Sequence, residues 1–467
     1  MKFLLIYGTE LSHPSVRKQK FEIHGPVYPP LGLLYIGRSL EDEGHHVEII
    51  DFFVDPDPYK AIQQVLPSCD AVGLTVDNDS FHESAQLAQL IKHQDPSIPI
   101  AIGGPHCTLY PEQALHNLPM ADVSVNGDGE TAVKDIALAF QGKKSFADIH
   151  GVFYRENGVV KQGKPPELIE DLDGIPFPSR HLVKKYAYGK FGKAFFFKPP
   201  LTSMITTRGC PFRCRYCLRH IISYKSFRQR SAENVLQEFK AINEQGYGSV
   251  MIADDTFLAN QKRAHTIMDG LLAMDSSVEI LIGGTRVDVT DRSLYEKMKH
   301  AGVKYISFGV ESGNQDVLDY YRKQVTTDQI KTAVTLSDEM GFLINGTFIL
   351  GAPMETQDHF MNTINFACSL PFDTVAFYPL SYRHGSDLWN EAVEHGCFDR
   401  TVHEVIADKK YRLSQFSEDE ILDYCALGNR KFYYRPHYFI HEFTKAIRTG
   451  DFRLLRTGLE TFLHPIY

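Results

Sequence analysis

The chain has 467 residues, of which 43% are hydrophobic and 23% charged, and its formal net charge is −9. This length predicts two to three domains, and the composition is that of a globular protein and excludes a disordered one. The acidic balance argues against nucleic acid as the main partner, because phosphates require a basic face. No apolar run reaches the roughly 18 residues that a membrane-spanning helix needs.

Short apolar runs alternate with amphipathic stretches over residues 1–144. The predicted strands are 3–7, 46–51, 71–76, 98–104 and 121–127, and the predicted helices are 31–44, 80–94 and 111–118. The first run is short and lacks a small-residue cleavage site, so it predicts a buried strand rather than a signal peptide. The alternation predicts a doubly wound, Rossmann-like α/β domain that binds its ligand at the carboxyl ends of the strands.

The rest of the chain divides into three predicted regions. Residues 145–198 predict a hairpin and a Pro-rich connector. Residues 199–392 predict a partial (β/α)6 barrel resembling a TIM barrel, with an open doubly wound sheet as the alternative from pattern alone; its predicted strands are 203–208, 249–254, 279–286, 304–311, 343–351 and 373–379. Residues 393–467 predict a helical C-terminal cap.

Three of the eight cysteines, Cys210, Cys214 and Cys217, crowd into eight residues directly after a predicted strand. The other five are scattered, which suits a reducing cytoplasm and not a disulfide framework. Three thiolates ligate three irons of a 4Fe–4S cluster and leave the fourth iron open to a small molecule. Zinc is the alternative, with His220 as a fourth ligand, but structural zinc sites usually draw on two paired motifs.

The cysteine spacing, with an aromatic residue just before the last cysteine, resembles the radical S-adenosylmethionine (SAM) superfamily over most of residues 200–390. The resemblance implies reductive cleavage of SAM at the cluster to a 5′-deoxyadenosyl radical, with an electron from a partner such as flavodoxin or ferredoxin. It implies that cofactor-binding residues follow successive strands, namely Tyr216, Asp254, Asp255, Thr256, Arg286, Glu311, Ser312, Gly351 and Glu355.

Each cluster of these residues follows the carboxyl end of a different predicted strand, which is where barrels assemble their active sites. Tyr216 is expected beside the adenine. The turn at Gly351 resembles the family's Gly-Leu-Pro-Gly-Glu turn, although Ala352 and Met354 replace its Leu and second Gly. A helix N-cap or a turn is the alternative role for Asp254, Ser312 and Glu355.

The N-terminal region resembles the cobalamin-binding domain that is fused to many radical SAM enzymes. The segments that carry the resemblance are 28–35, 44–51, 102–112 and 126–130. The Asp-x-His-x-x-Gly motif, which supplies a histidine to cobalt in methionine-synthase-like domains, is absent, as it is in many radical SAM relatives. The resemblance therefore implies cobalamin without a histidine on the metal.

The glycines at the later turns of this domain, Gly103, Gly104, Gly127 and Gly129, would let backbone approach the nucleotide tail of cobalamin. The resemblance also places residues 77–79, beginning with Asp77, near the corrin. For Asp79 an N-cap of the following helix is an equal alternative.

These features predict a cytoplasmic radical SAM enzyme that carries out cobalamin-dependent C-methylation of a small organic substrate. A non-methylating cyclase, rearrangement or dehydration enzyme, with or without cobalamin, is the first alternative. An iron–sulfur electron carrier or sensor is the second, although a carrier would need a fourth cysteine. The sequence assigns no catalytic side chain beyond the cofactor contacts.

Overall fold

The structure is a computed structural model, and it describes residues 1–8, 27–77, 81–191, 194–288 and 290–463. The described chain forms two compact units, the first ending at Tyr188 and the second beginning at Gly189. Each unit has a hydrophobic core of its own around one main sheet.

The first unit is built on a seven-stranded sheet in the order β2-β1-β3-β4-β5-β6-β7. Its strands are β1 (Lys2–Tyr7), β2 (His46–Asp51), β3 (Ala71–Thr75), β4 (Ile100–Gly103), β5 (Val123–Val125), β6 (Val152–Glu156) and β7 (Val159–Gln162). Its helices are α1 (Leu31–Asp42), α2 (Pro58–Val65), α3 (Phe81–Gln94), α4 (Pro105–Leu109), α5 (Pro111–Asn117) and α6 (Gly129–Phe140). Strands β1 to β5 are parallel, so the predicted doubly wound sheet is confirmed.

The expected hairpin at the start of residues 145–198 extends this sheet. Strand β6 pairs antiparallel with β5, and β7 pairs antiparallel with β6. Val152 and Tyr154 pack with Val123 in a small cluster of buried side chains. The hairpin therefore belongs to the first sheet, because it covers the edge that β5 would otherwise leave unpaired.

The second unit is built on a six-stranded parallel sheet, the predicted partial barrel. Its strands are β10 (Leu201–Met204), β13 (Ser249–Ile252), β14 (Glu279–Thr285), β15 (Val303–Glu311), β16 (Leu343–Leu350) and β17 (Thr374–Pro379), in that order. Short antiparallel pairs accompany it: β8 (Lys190–Phe191) with β9 (Ala194–Phe195), β11 (Thr207–Arg208) with β12 (Arg228–Gln229), and β18 (Ser381–Arg383) with β19 (Glu404–Ile406). Its buried strand residues are mainly Val, Ile, Leu and Phe, as expected of a sheet covered by helices.

Helices follow most strands of this unit. They are α7 (Arg219–Ile222), α8 (Ala232–Glu244), α9 (Gln261–Leu272), α10 (Arg292–His300), α11 (Gln315–Tyr320), α12 (Thr327–Met340), α13 (Gln357–Ser369) and α14 (Asp387–Glu394), followed by the C-terminal helices α15 (Glu418–Tyr433), α16 (Pro436–Thr449) and α17 (Arg453–Leu463). Their ends have local causes. A capping box of Thr326 and Gln329 starts α12, and Gly341 at φ +83° ends it.

The last strand of the barrel sheet is covered by a C-terminal helix. The hydroxyl of Tyr433, on α15, donates to the carbonyl of Val375 and accepts from its amide, both at 2.9 Å. These bonds occupy backbone groups of the edge strand β17. The predicted helical cap therefore has a structural role at the edge of the sheet. Tyr382 and Trp389, each 2% exposed, belong to the core beside it.

One predicted strand is divided in the structure. Residues 203–208 were expected to be continuous, but β10 ends at Met204 and β11 leaves the sheet to pair with β12. Asp254 causes the break, because its carboxylate accepts the backbone amide of Thr206 at 2.6 Å and also the Thr206 hydroxyl. An amide bonded to a side chain is lost to the strand ladder, so the chain turns outward here.

Candidate functional site

The three clustered cysteines lie on the loop that joins β11 to α7, at the carboxyl edge of the barrel sheet. The loop begins at Gly209, whose φ is +89°. A Cβ built on this glycine would lie 2.2 Å from the carbonyl oxygen of Ser226. Only glycine tolerates both the backbone angle and this approach, so the loop before Cys210 is held against the turn that precedes β12.

The thiols of Cys210, Cys214 and Cys217 are free, and Cys214 is buried. Burial raises the pKa of Cys210 and raises the pKa of Cys217 to about 11. The charge of Cys214 adds to both shifts, and that of Cys210 adds to the shift of Cys217. Three thiols on one short loop, one of them buried and two partly buried, favour a cationic group that replaces their protons. The all-sulfur donor set fits an iron–sulfur cluster with one iron lacking a protein ligand.

Arg286 connects the third barrel strand to this loop. Its guanidinium lies 3.8 Å from the centre of the Phe212 ring, and its Nη1 lies 4.0 Å from Sγ of Cys214. An ion pair with Asp288, at 2.8 Å, fixes the guanidinium from the other side. A buried positive charge beside a thiolate stabilises the charged form of the sulfur and tunes the potential of a bound cluster.

Tyr216 and Glu311 meet beside the loop. The Tyr216 hydroxyl donates to Oε1 of Glu311 at 2.7 Å, and Nζ of Lys323 lies 2.6 Å from the same oxygen. Glu311 has φ +67°, an uncommon conformation for a residue other than glycine. Lys323 also accepts, at its backbone oxygen, a hydrogen bond of 2.6 Å from Arg286. Lys323 therefore joins two predicted cofactor-binding residues, although no motif in the sequence identified it.

Asp254, Asp255 and Thr256 take separate positions after β13. Asp254 is 3% exposed and is occupied by the turn at Thr206, so it positions the start of the cysteine loop. Asp255 faces the loop itself, where its Oδ1 lies 3.1 Å from Nε of Arg219 and its charge raises the pKa of Cys210. Thr256 is buried, and its hydroxyl has no hydrogen-bond partner among the residues that the structure describes.

Ser312 and Glu355 hold turns at the ends of β15 and β16. The Ser312 hydroxyl contacts that of Thr363 at 3.1 Å and accepts the amide of Asn314. Oε2 of Glu355 accepts the amides of Gly351 and of the next residue, each at 2.7 Å. Burial raises the pKa of Glu355 to about 7, and these two amide bonds oppose the rise. Both side chains bind the backbone of their own turns, as the turn alternative expected.

In the first unit, the strand order 2-1-3-4-5 places a topological switch between β1 and β3. Open α/β sheets bind ligands at this point, outside the carboxyl ends of the strands. Asp77, two residues after β3, raises the pKa of Tyr7, at the end of β1, in addition to the larger effect of burial. The two side chains therefore lie within electrostatic range of each other at the switch. Asn78 and Asp79, also expected near the corrin, lie outside the described residues.

The four predicted glycines of this unit differ in their surroundings. Gly104 has φ +115°, and a Cβ there would lie 2.9 Å from the carbonyl oxygen of Val76. The backbone at Gly104 therefore passes close to the backbone at the end of β3. Gly127 has φ +92°, and Gly103 has room for a side chain at ordinary contact distance. Gly129 begins α6, and a Cβ there would meet Ile36 of α1 at 2.9 Å, so Gly129 serves helix packing.

Two family profiles match the chain, each over one of these regions. The B12 binding domain matches residues 24–137, and the radical SAM superfamily matches residues 204–367. The protein belongs to the cobalamin-binding-domain-containing branch of the radical SAM superfamily. Its cofactors are accordingly a 4Fe–4S cluster, SAM and cobalamin, and it is an enzyme, as the sequence predicted.

Similar proteins extend over nearly the whole chain. An uncharacterized methyltransferase of Pyrococcus horikoshii is 29% identical, and the aligned region covers 95% of this chain and 94% of the methyltransferase. An anaerobic magnesium-protoporphyrin IX monomethyl ester cyclase of Rubrivivax gelatinosus is 25% identical over 93% of this chain and 78% of its own. The radical SAM methyltransferase TsrM of Kitasatospora setae has the same fold, with a TM-score of 0.69 at 18% identity over 93% of this chain and 84% of that one. In the described part of the protein, no helix is long and apolar enough to span a bilayer.

Proposed function

We propose that this protein methylates a carbon atom of a small organic substrate in the cytoplasm, with a flavodoxin or ferredoxin as its electron donor. The observation that carries the proposal is the joint presence of a three-thiol loop at the carboxyl edge of a partial barrel and a separate B12 binding domain. The relatives of the chain include proteins named as methyltransferases. The cofactors, when bound, supply radical generation from SAM and methyl transfer through cobalt.

The residues of the chain hold and orient these groups. Cys210, Cys214 and Cys217 would bind the cluster, and Arg286 would stabilise its thiolates. Tyr216, fixed by its bond to Glu311, would contact the adenine of SAM. The switch-point residues of the first unit, with Asp77 and Gly104, would accommodate cobalamin. The remaining predicted cofactor residues would position these groups from the turns that follow β13, β15 and β16.

SAM turnover without added substrate tests the proposal. Reconstituted protein with cobalamin and a chemical reductant should form both 5′-deoxyadenosine and S-adenosylhomocysteine from SAM. A variant with alanine in place of all three cysteines should lose 5′-deoxyadenosine formation, because its irons lack ligands. Wild-type levels of 5′-deoxyadenosine in this variant would overturn the assignment of the cluster.

A second reaction type, cyclisation without methyl transfer, is favoured by the similarity to a cyclase. The two reactions differ in their use of the SAM methyl group. A methylating enzyme transfers labelled methyl from SAM to reduced cobalamin and releases S-adenosylhomocysteine in equal amount. A cyclase forms 5′-deoxyadenosine alone, so absence of labelled methylcobalamin would exclude methylation and favour cyclisation.

A further inference from the structure

A cluster of buried charged residues lies at the amino edge of the barrel sheet, at the opposite strand ends from the cysteine loop. Asp373 directly precedes β17, while His441 and Glu442 lie on α16. Ligand atoms from these three residues, one from each, all lie within 4.8 Å of one another. None of the three residues stands out in the sequence, because Asp373 lies 68 positions before His441 and 69 before Glu442.

Each of the three residues has one buried atom without a hydrogen-bond partner in the described chain. The atoms are Oδ1 of Asp373, Nε2 of His441 and Oε1 of Glu442. Nε2 of His441 also lies 3.8 Å from Oδ1 of Asp338, which is too far for a hydrogen bond. Asp373 is 1% exposed and Glu442 is 4% exposed. Buried polar atoms are almost always satisfied, and each exception needs an explanation. Three exceptions that meet at one place, all of atom types that bind metals, point to a ligand shared by them.

Among the charged side chains around the cluster, one carboxylate lacks a cationic partner. Asp338 pairs with Arg448 at 2.8 Å, and Lys445 lies 2.6 Å from Oδ2 of Asp373 and 3.3 Å from Oδ1 of Asp338. These two cations neutralise the two aspartates, while Glu442 forms no ion pair with a described residue. A buried carboxylate without a cation requires a proton or a metal ion.

We propose that Asp373, His441 and Glu442 bind a divalent transition-metal ion, zinc by its donor set, that fastens α16 to the amino end of β17. An imidazole with two carboxylates suits zinc and not magnesium or calcium, which prefer oxygen ligands alone. Tetrahedral zinc with bonds of about 2.0–2.2 Å places its ligand atoms about 3.4 Å apart, so the three side chains would close on the ion and a water molecule would supply the fourth ligand. Lys445 then holds the second oxygen of Asp373 and orients that ligand.

A proton is the competing occupant of this site. Burial, the charge of Asp373 and a hydrogen bond to Asp373 raise the pKa of Glu442 to about 10, so without a metal ion a proton on Glu442 is shared with Asp373. Glutamine imitates the protonated acid in shape and charge but does not supply a carboxylate ligand. Glu442→Gln therefore separates the two occupants: it removes the metal site and preserves the protonated arrangement.

The test is a measurement of zinc, iron and cobalt in the holoenzyme after incubation with zinc sulfate and desalting. The wild type should retain about one zinc ion per chain, and Glu442→Gln and His441→Gln should each retain less than about a tenth of that, with unchanged iron and cobalt. The exposed Glu244→Gln serves as the matched control and should retain zinc as the wild type does.

Two further readouts separate this site from the cysteine loop and from misfolding. The variant with alanine at all three loop cysteines should still retain zinc, because the proposed ligands lie at the other edge of the sheet. Zinc should raise the melting temperature of the wild type and leave that of Glu442→Gln unchanged. Absence of zinc in the wild type, equal zinc in Glu442→Gln, or loss of zinc together with the loop cysteines would each overturn the proposal.

Discussion

Lys323 and Glu311 form a buried ion pair that the Tyr216 hydroxyl joins to the cluster loop. Each residue is 5% exposed, and Nζ lies 2.6 Å from Oε1. Lys323→Met keeps the length of the side chain and removes its charge. Glu311 then remains buried with the hydroxyl of Tyr216 as a neutral partner.

Breaking a buried pair by removing one member costs about 3–5 kcal/mol, because the other charge stays desolvated. For a unit of this size each kcal/mol of lost unfolding free energy lowers the melting temperature by about 2–4 °C, so the expected decrease in melting temperature is roughly 6–20 °C. The double variant Lys323→Met with Glu311→Gln carries neither charge. It should recover more than half of the lost stability, since no buried charge remains unpaired.

Thermal unfolding followed by circular dichroism on the reconstituted enzyme measures this effect, and its iron content verifies the cluster. Lys331→Met is the matched control: its ion pair with Asp328 is 2.9 Å long but has side chains 52% and 86% exposed. Such an exposed pair contributes about 0–1 kcal/mol. A melting temperature of Lys323→Met within about 2 °C of this control, or a double variant as unstable as the sum of its single changes, would refute the reasoning.

Three other predictions concern the turns of the two sites. Gly209→Ala should lower the iron content below half that of the wild type, because the loop has no room for Cβ; Gly246→Ala, at φ +79° with no atom within 4 Å, should keep it. Glu355→Gln should flatten the pH dependence of stability. The pKa of Glu355 is about 7 in the folded state and 4.5 in the unfolded chain, so between these pH values the wild type binds a proton when it folds. Wild-type stability should therefore fall by about 3 kcal/mol as the pH rises from about 4.5 to 7, measured by denaturant titration, and an unchanged slope in the variant would contradict this. Gly104→Ala should reduce the cobalamin retained after desalting, judged by the visible spectrum, while Gly142→Ala, with φ +70° and open space, should not; equal retention would count against an approach of cobalamin at Gly104.

The strand–helix order and the three-cysteine loop could be predicted because their signals are local. Buried strands appear as short β-branched runs, and the three cysteines lie within eight residues. The same holds for the turn at Gly351 and Glu355, whose partners are four residues apart or fewer. Local patterns of this kind depend on neighbours along the chain and need no tertiary structure to be recognised.

The features that only the tertiary structure decided are contacts between residues that are distant in sequence. Asp254 ends β10 through Thr206, 48 positions away, a contact that no local pattern predicted. Lys323 reaches Glu311 only because α11 returns the chain to the end of β15. Asp373 and Glu442 meet only through the packing of α16 on the sheet. No periodicity or motif encodes such pairings, because they depend on where folding places whole helices and strands.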